Sequence, residues 1–200
     1  MNKGQTIIMK EILIATNNQG KVKEIKEILK DYKLLTLKDV NCQIEVEEDG
    51  KTFEENAIKK AKEISKITNL PCIADDSGIC IEILDNWPGV HTARFLGKEA
   101  TAQERNQAIL DRLKDKHGTE RNVKFVCVIA YASNDKVFTT KGEISGKIAN
   151  KPKGKNGFGF DSIFELDSGK TLAELTDKEK NNLSSRKLAL EKLKEKLENM

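Results

Sequence analysis

The stretch VKFVCVIAYA at positions 123 to 132 constrains the fold more than any other. It is rich in β-branched and aromatic residues and apolar at odd and even positions alike, so it reads as a central strand covered on both faces. Such a strand needs other strands beside it and helices on its two sides, and the rest of the chain supplies them. Glu11 to Ala15 (EILIA) reads as a short buried strand, after which Val22, Ile25, Ile28 and Leu29 recur at helical spacing among lysines and glutamates. Lys33 to Leu37 predicts another strand. Thr52-Phe53-Glu54-Glu55 and Thr101-Ala102-Gln103-Glu104 have the form of capping boxes, opening helices expected to reach Thr68 and Lys116. Pro71 to Ala74 and Ile79 to Leu84 predict two strands joined by a polar turn at Asp75-Asp76-Ser77-Gly78. Lys136 to Ile144 reads as the partner of the long strand, and Leu190, Leu193 and Leu197 stripe a last helix from Ser185 to Glu198. Elements alternating in this order make an α/β fold around a mixed sheet.

Two hundred residues, 38% of them hydrophobic, suffice for one core, and no linker, repeat or low-complexity segment divides the chain. A single domain over residues 1–200 is expected. Met9 stands just ahead of the first strand, so residues 1–8 read as a flexible extension or an over-called start. The 35 Lys and Arg against 32 Asp and Glu leave a net charge of only +3, which argues against wrapping a nucleic acid and leaves a small anionic substrate open. Cys42, Cys72, Cys80 and Cys127 form no C-x-x-C pair and accompany only two histidines, so they read as reduced thiols of a cytoplasmic protein. The start lacks the apolar core of a signal sequence, and no run approaches the roughly 18 apolar residues that span a bilayer, so no membrane partner is expected.

The first strand hands over to its helix through IATNNQGK, residues 14 to 21. A P-loop, G-x-x-x-x-G-K-[ST], would need glycine where Ala15 stands and a hydroxyl where Val22 stands, so that mechanism fails at both ends. Two readings remain: an Asn-capped helix start, or an anion site built from helix N–H groups, Gly20, Lys21 and the amide side chains. Asp75 and Asp76 likewise read either as a solvated turn or, one of them joined by a carboxylate of Glu47, Glu48 or Asp49, as ligands of magnesium. Neighbouring side chains on an extended backbone point to opposite faces, so a bend at Ser77-Gly78 would be needed to bring both aspartates to one ion. Arg94, in WPGVHTAR, suits either a rigid surface turn or a forked phosphate contact. Phe158 and Phe160, alternating with Gly157 and Gly159, suit either base stacking or core packing.

Six segments in order, ATNNQGKVKE (15–24), TFEENAIKKA (52–61), IADDSG (73–78), PGVHTARFLG (88–97), GFGFDSIF (157–164) and LAELTDKEKNNLSSR (172–186), resemble the inosine triphosphatase family of nucleoside triphosphate pyrophosphatases. The resemblance covers residues 11 to 196. It implies an elongated mixed β-sheet flanked by helices in two lobes with a substrate cleft between them, a homodimer, and a requirement for Mg2+. It also implies hydrolysis of non-standard purine nucleoside triphosphates (ITP, dITP, XTP) to the monophosphate and pyrophosphate. Carried over to this chain, Thr16, Asn17, Asn18, Gln19, Gly20 and Lys21 hold the triphosphate. Glu47 and Asp76 match metal-associated carboxylates, Asp76 also the proton acceptor, and Ser77 a substrate contact. Phe158, Gly159, Phe160, Asp161, Lys180, Ser185 and Arg186 then form the nucleoside pocket. The chain departs from the family where Ser184-Ser185-Arg186 replaces the usual Ser-His-Arg and Phe160 the usual tyrosine. The competing readings are a Maf-like pyrophosphatase for other modified nucleotides, a non-catalytic nucleotide sensor, and a nucleic-acid module built on KPKGK (151–155).

Overall fold

Asn122–Ala132 forms β5, and a mixed sheet grows from both of its edges. The computed structural model describes residues 11–97 and 99–200, so the extension expected at 1–8 lies outside the described residues. The remaining strands are β1 (Glu11–Ile14), β2 (Lys33–Thr36), β3 (Cys72–Ile81), β4 (Trp87–Pro88), β6 (Val137–Ile148) and β7 (Phe164–Glu165). They lie in the order β2-β1-β3-β5-β6-β7, with β4 added to β3. β1 runs parallel to β2 and β3, and the other pairings are antiparallel. The helices are α1 (Gln19–Ile28), α2 (Phe53–Thr68), α3 (Ala102–Arg112), α4 (Asp177–Leu183) and α5 (Ser185–Glu198).

The apolar periodicities decide which face each helix covers. Val22, Ile25 and Leu29, with Ala189, Leu190, Leu193 and Leu197 of α5, pack on Ile73, Cys127 and Ile129 on one face of the sheet. Ala57, Ala61 and Ile64 of α2 cover Cys72, Ala74, Val126 and Val128 on the other. A third cluster joins Ile109, Leu110 and Leu113 to Ile79, Ile81, Val123, Phe160 and Phe164 at the far end. Both predicted start signals cap their helices, the Thr52 and Thr101 side chains accepting from the Glu55 and Glu104 amides. Only Thr101 and Glu104 close as a reciprocal box, since the Glu55 carboxylate accepts from the Lys51 N–H instead. α2 stops where Asn69 takes a left-handed conformation, φ 54°, which asparagine tolerates. Gly142 of β6 lets α5 sit down on the sheet, because a Cβ there would lie 2.0 Å from the Ser185 carbonyl and 2.7 Å from the Ala189 nitrogen. Gly142→Ala should therefore cost about 1–3 kcal/mol by overpacking, read as a lower urea midpoint at unchanged m-value.

Asp75-Asp76-Ser77-Gly78 corrects the sequence reading. It forms no turn and lies inside one continuous strand, β3, paired with β5 along its whole length. The second expected strand ends at Ile81, and Glu82–Leu84 turns into a short 3-10 helix. α3 likewise ends at Arg112, short of Lys116, and β6 runs on past Ile144 to Ile148. On its other edge β3 meets β1 only at Cys72 and Ile73, and β4 only at Cys80 and Ile81. Between them residues 74–79 pair with no strand on that side among the described residues. Lys60 Nζ donates to the Asp75 carbonyl there, and the Ile79 N–H donates to Thr92 Oγ1.

Candidate active site

Lys60, which donates to the open edge of β3, also lines a cleft of about 690 Å3 together with Thr16, Asn17, Lys21, Glu47, Glu48 and Arg94. Asp76 is not among the lining residues and lies behind Lys60 and Glu48. Because β3 is extended, its two aspartates point to opposite faces, and each meets its own set of partners. Asp76 turns toward α2 and is 6% exposed. Its Oδ2 accepts from Asn56 Nδ2 at 2.9 Å, and its Oδ1 from the Ser77 N–H at 3.0 Å. Burial pushes the Asp76 carboxyl above its ordinary value, Lys60 opposes that shift, and Glu48 adds to it. Glu48 itself is half-buried and clamped by Lys60 on one oxygen and by Arg94 on the other. Glu47 lines the same cleft but is exposed. The carboxylate electrostatically coupled to Asp76 is therefore Glu48.

Asp75 turns the other way, into a buried ionic network. It pairs with Lys21 at 2.9 Å and Arg186 at 3.1 Å, and accepts from Ser77 Oγ at 3.3 Å. Arg186, 5% exposed, also pairs with Glu24 and donates to Ser77 Oγ. Glu24 in turn pairs with Lys180 at 2.9 Å, and Lys180 with Asp161 at 2.7 Å. Burial alone would raise the Asp75 carboxyl, but Lys21, Arg186 and Lys60 outweigh it and hold it well below the usual carboxylate range. Lys180 stays charged because Asp161 and Glu24 outweigh its burial. One chain of ion pairs thus runs from the turn at Lys21 to the loop at Asp161.

The turn after β1 is indeed an Asn-capped helix start. Asn18 Oδ1 accepts from the Lys21 N–H at 3.2 Å, Thr16 Oγ1 from the Asn18 N–H, and Gln19 Nε2 donates to the Asn17 carbonyl. The same turn presents Thr16, Asn17 and Lys21 to the cleft, so cap and anion site are compatible. Gly20 serves a different contact: a Cβ there would lie 2.7 Å from two Phe158 ring carbons, so the ring packs directly on the helix backbone. Lys180 Nζ lies 4.3 Å from the centroid of that ring, and a smaller cavity of about 220 Å3 lined by Gly20, Glu24, Phe158 and Lys180 opens beside it. Phe160 points into the third core cluster instead, 8% exposed. Ser185 is buried at the start of α5, whose N-cap is Ser184.

A family model described as the Ham1 family matches residues 12–196. The chain belongs to the Ham1 family. Among its Ham1 relatives, the dITP/XTP pyrophosphatase of Bacillus subtilis (strain 168) is 45% identical over 96% of this chain and 99% of the relative. The Escherichia coli (strain K12) protein of the same name is 40% identical over 96% of this chain and 100% of its own. A HAM1 protein from Coxiella burnetii has a solved structure that superposes with a TM-score of 0.87 at 41% identity, covering 96% of this chain and 100% of that one. The Staphylococcus aureus Ham1 protein gives 0.85 at 39%, over 95% and 99%.

Sequence reasoning missed several residues of this Ham1 site. Glu24 sits among lysines and glutamates on α1, where a charge reads as solvated, yet it is 6% exposed between two cations. Asn56 and Lys60 stand one turn apart on α2, next to its apolar stripe, and both reach β3. The available signal was that i, i+4 spacing of polar groups beside the buried alanines.

Proposed function

We propose that this Ham1 chain hydrolyses non-standard purine nucleoside triphosphates, ITP, dITP and XTP, to the monophosphate and pyrophosphate with the help of magnesium. The observation that carries it is a pair of cavities at the start of α1: a cleft lined by Lys21, Lys60 and Arg94 with Glu47 and Glu48 at its wall, and, beginning at the neighbouring Gly20, a smaller cavity lined by Phe158 and Lys180. The names of the Bacillus and Escherichia relatives support the same substrates. In this reading the triphosphate lies along residues 16–21, where helix N–H groups and Lys21 meet its charge, with Lys60 and Arg94 opposite. Asp76, as a carboxylate, orients a water toward the α-phosphorus and takes its proton. Asn56 fixes the orientation of Asp76.

The donor set fits magnesium. Asp76 and, at the rim, Glu47 would offer only oxygens, and Glu48 is held by Lys60 and Arg94; among the described residues no group of three or more His, Cys, Asp or Glu converges to hold an ion. One or two carboxylates suit magnesium, which would complete its shell with waters and phosphate oxygens. Bound there, the ion supplies charge neutralisation and polarisation of the phosphoanhydride. At the other end Phe158 stacks on the base, and Lys180, a donor only, favours a 6-oxo group over an amino group. Arg186 holds Glu24, which with Asp161 positions Lys180. The family resemblance further implies a cytoplasmic homodimer; among the described residues no helix is long and apolar enough to cross a membrane.

The test is pyrophosphate release from dITP, XTP, dGTP, ATP and dTTP, each with magnesium and with chelator. We expect release from dITP and XTP at about 100-fold higher kcat/KM than from ATP, and none with chelator. Equal rates on all five would favour the Maf-like reading. Tight binding of dITP without turnover would favour a sensor.

A further inference from the structure

Helix α3 carries one polar side chain into an apolar interface. Ile109, Leu110 and Leu113 of the helix and its C-cap are buried in the third core cluster, and Asn106 lies on the same face at i, i+3, i+4, i+7 spacing, 5% exposed. Asparagine at such a position costs stability unless its amide is used. Here Nδ2 donates to the Gly159 carbonyl at 3.1 Å and to Ser162 Oγ at 3.1 Å. A carbonyl can only accept, so the amide orientation is fixed with its nitrogen toward the loop. The cost is visible in Asn106 Oδ1, which is buried without a hydrogen-bond partner.

The loop that receives these bonds is the one that presents Phe158. Gly157 and Gly159 both sit at positive φ, +76° and +63°, so the backbone on either side of Phe158 is conformationally permissive. Asp161 closes the loop on itself by accepting from the Phe158 N–H, and its own carbonyl accepts from the Ala173 N–H. Asn106 adds a tether of a different kind, from a rigid helix 53 positions earlier in the chain. We propose that Asn106 is a positioning residue for nucleoside recognition: it holds the Gly159 carbonyl and thereby keeps the Phe158 ring in place against Gly20, at the wall of the small cavity that the ring lines with Lys180. This rests on the pyrophosphatase reading above and adds to it a residue that touches neither phosphate nor base.

Asn106→Asp keeps the shape and replaces the N–H donors with an acceptor facing a carbonyl. Asn106→Ala avoids burying a charge and opens into the adjoining cavity of about 360 Å3 lined by Asn106, Gln107, Gly159 and Ser162, so it should fold. For both variants we expect KM for dITP to rise about tenfold, the scale of one or two lost neutral hydrogen bonds, with kcat within about threefold. Inhibition by inorganic tripolyphosphate, which has no base, should keep its wild-type constant. Amides 157–162 should exchange hydrogen faster while those of β5 do not change. An unchanged KM would overturn the inference, as would KM and the tripolyphosphate constant rising together, since a general loosening moves both. If the wild-type chain releases pyrophosphate from no nucleotide, the pyrophosphatase reading fails and this inference with it. Active wild type with normal KM in both variants defeats the inference alone.

Discussion

Asp76→Asn should reduce pyrophosphate release from saturating dITP by about 10^3-fold while leaving the protein folded. The substitution keeps the shape, and the new side chain can still present an oxygen to Asn56 Nδ2. What it removes is the negative charge and the basic oxygen beside Lys60 and Glu48. Stability should move in the opposite sense. Because burial raises the Asp76 carboxyl, the folded protein binds its proton more tightly than the unfolded chain does. Stability is then lost as pH rises from the unfolded pKa through the folded one, and at pH 8 the full cost of the buried charge is present. Asparagine relieves that cost, so Tm at pH 8 should hold or rise. A thermal melt beside the activity assay separates the two effects. Near-normal turnover would remove Asp76 from its assigned role, and a collapsed Tm with lost activity would make the residue structural.

Arg186→Met should be the most destabilising single change in the site, about 3–5 kcal/mol, measured by urea unfolding. Methionine fills much of the volume, so the loss is electrostatic. Of their ion pairs among the described residues, Glu24 would keep Lys180 and Asp75 would keep Lys21, with both carboxylates still buried. Had Arg186 been simply a donor at the rim of the base pocket, its removal would relax base choice at little structural cost. A loss below about 1 kcal/mol would support that simpler role and contradict the network. Adding Asp75→Asn to Arg186→Met should cost less than the sum of the single changes, because the second substitution removes a charge that the first has stranded. The carboxyl of Asp75 is held low, so its stabilising contribution is present above the unfolded pKa and is lost only as pH falls through the folded one, in strong acid.

Most elements were legible from periodicity and capping. α2 starts and ends at the residues that Thr52 and the apolar stripe predict, and β5 is the central strand its two-faced apolarity requires. The failure at residues 75–78 has a specific cause. Asp, Ser and Gly form turns when their side chains satisfy nearby backbone, and sequence alone supplies no other partner. Here the partners are remote: Lys21, Asn56 and Arg186 bring the donors that let two aspartates remain in an extended, buried strand. The same remoteness hid Glu24 on α1. The alternation of Phe158 and Phe160 with glycines suits stacking or packing alike, and the resemblance implies a pocket role for both; the structure divides them, one ring on Gly20 and the other in the core.

The alternation along β3 also has a consequence for how this sequence can vary. Residues 72–81 are locked to β5 over their full length, and consecutive side chains serve different purposes on opposite faces. Substitutions there act one site at a time. A single inserted or deleted residue would instead invert every position beyond it, exchanging the carboxylate of the ion-pair network for the one bonded to Asn56 of α2. Among descendants of this chain, length in that segment should stay fixed even where the flanking loops lengthen and shorten.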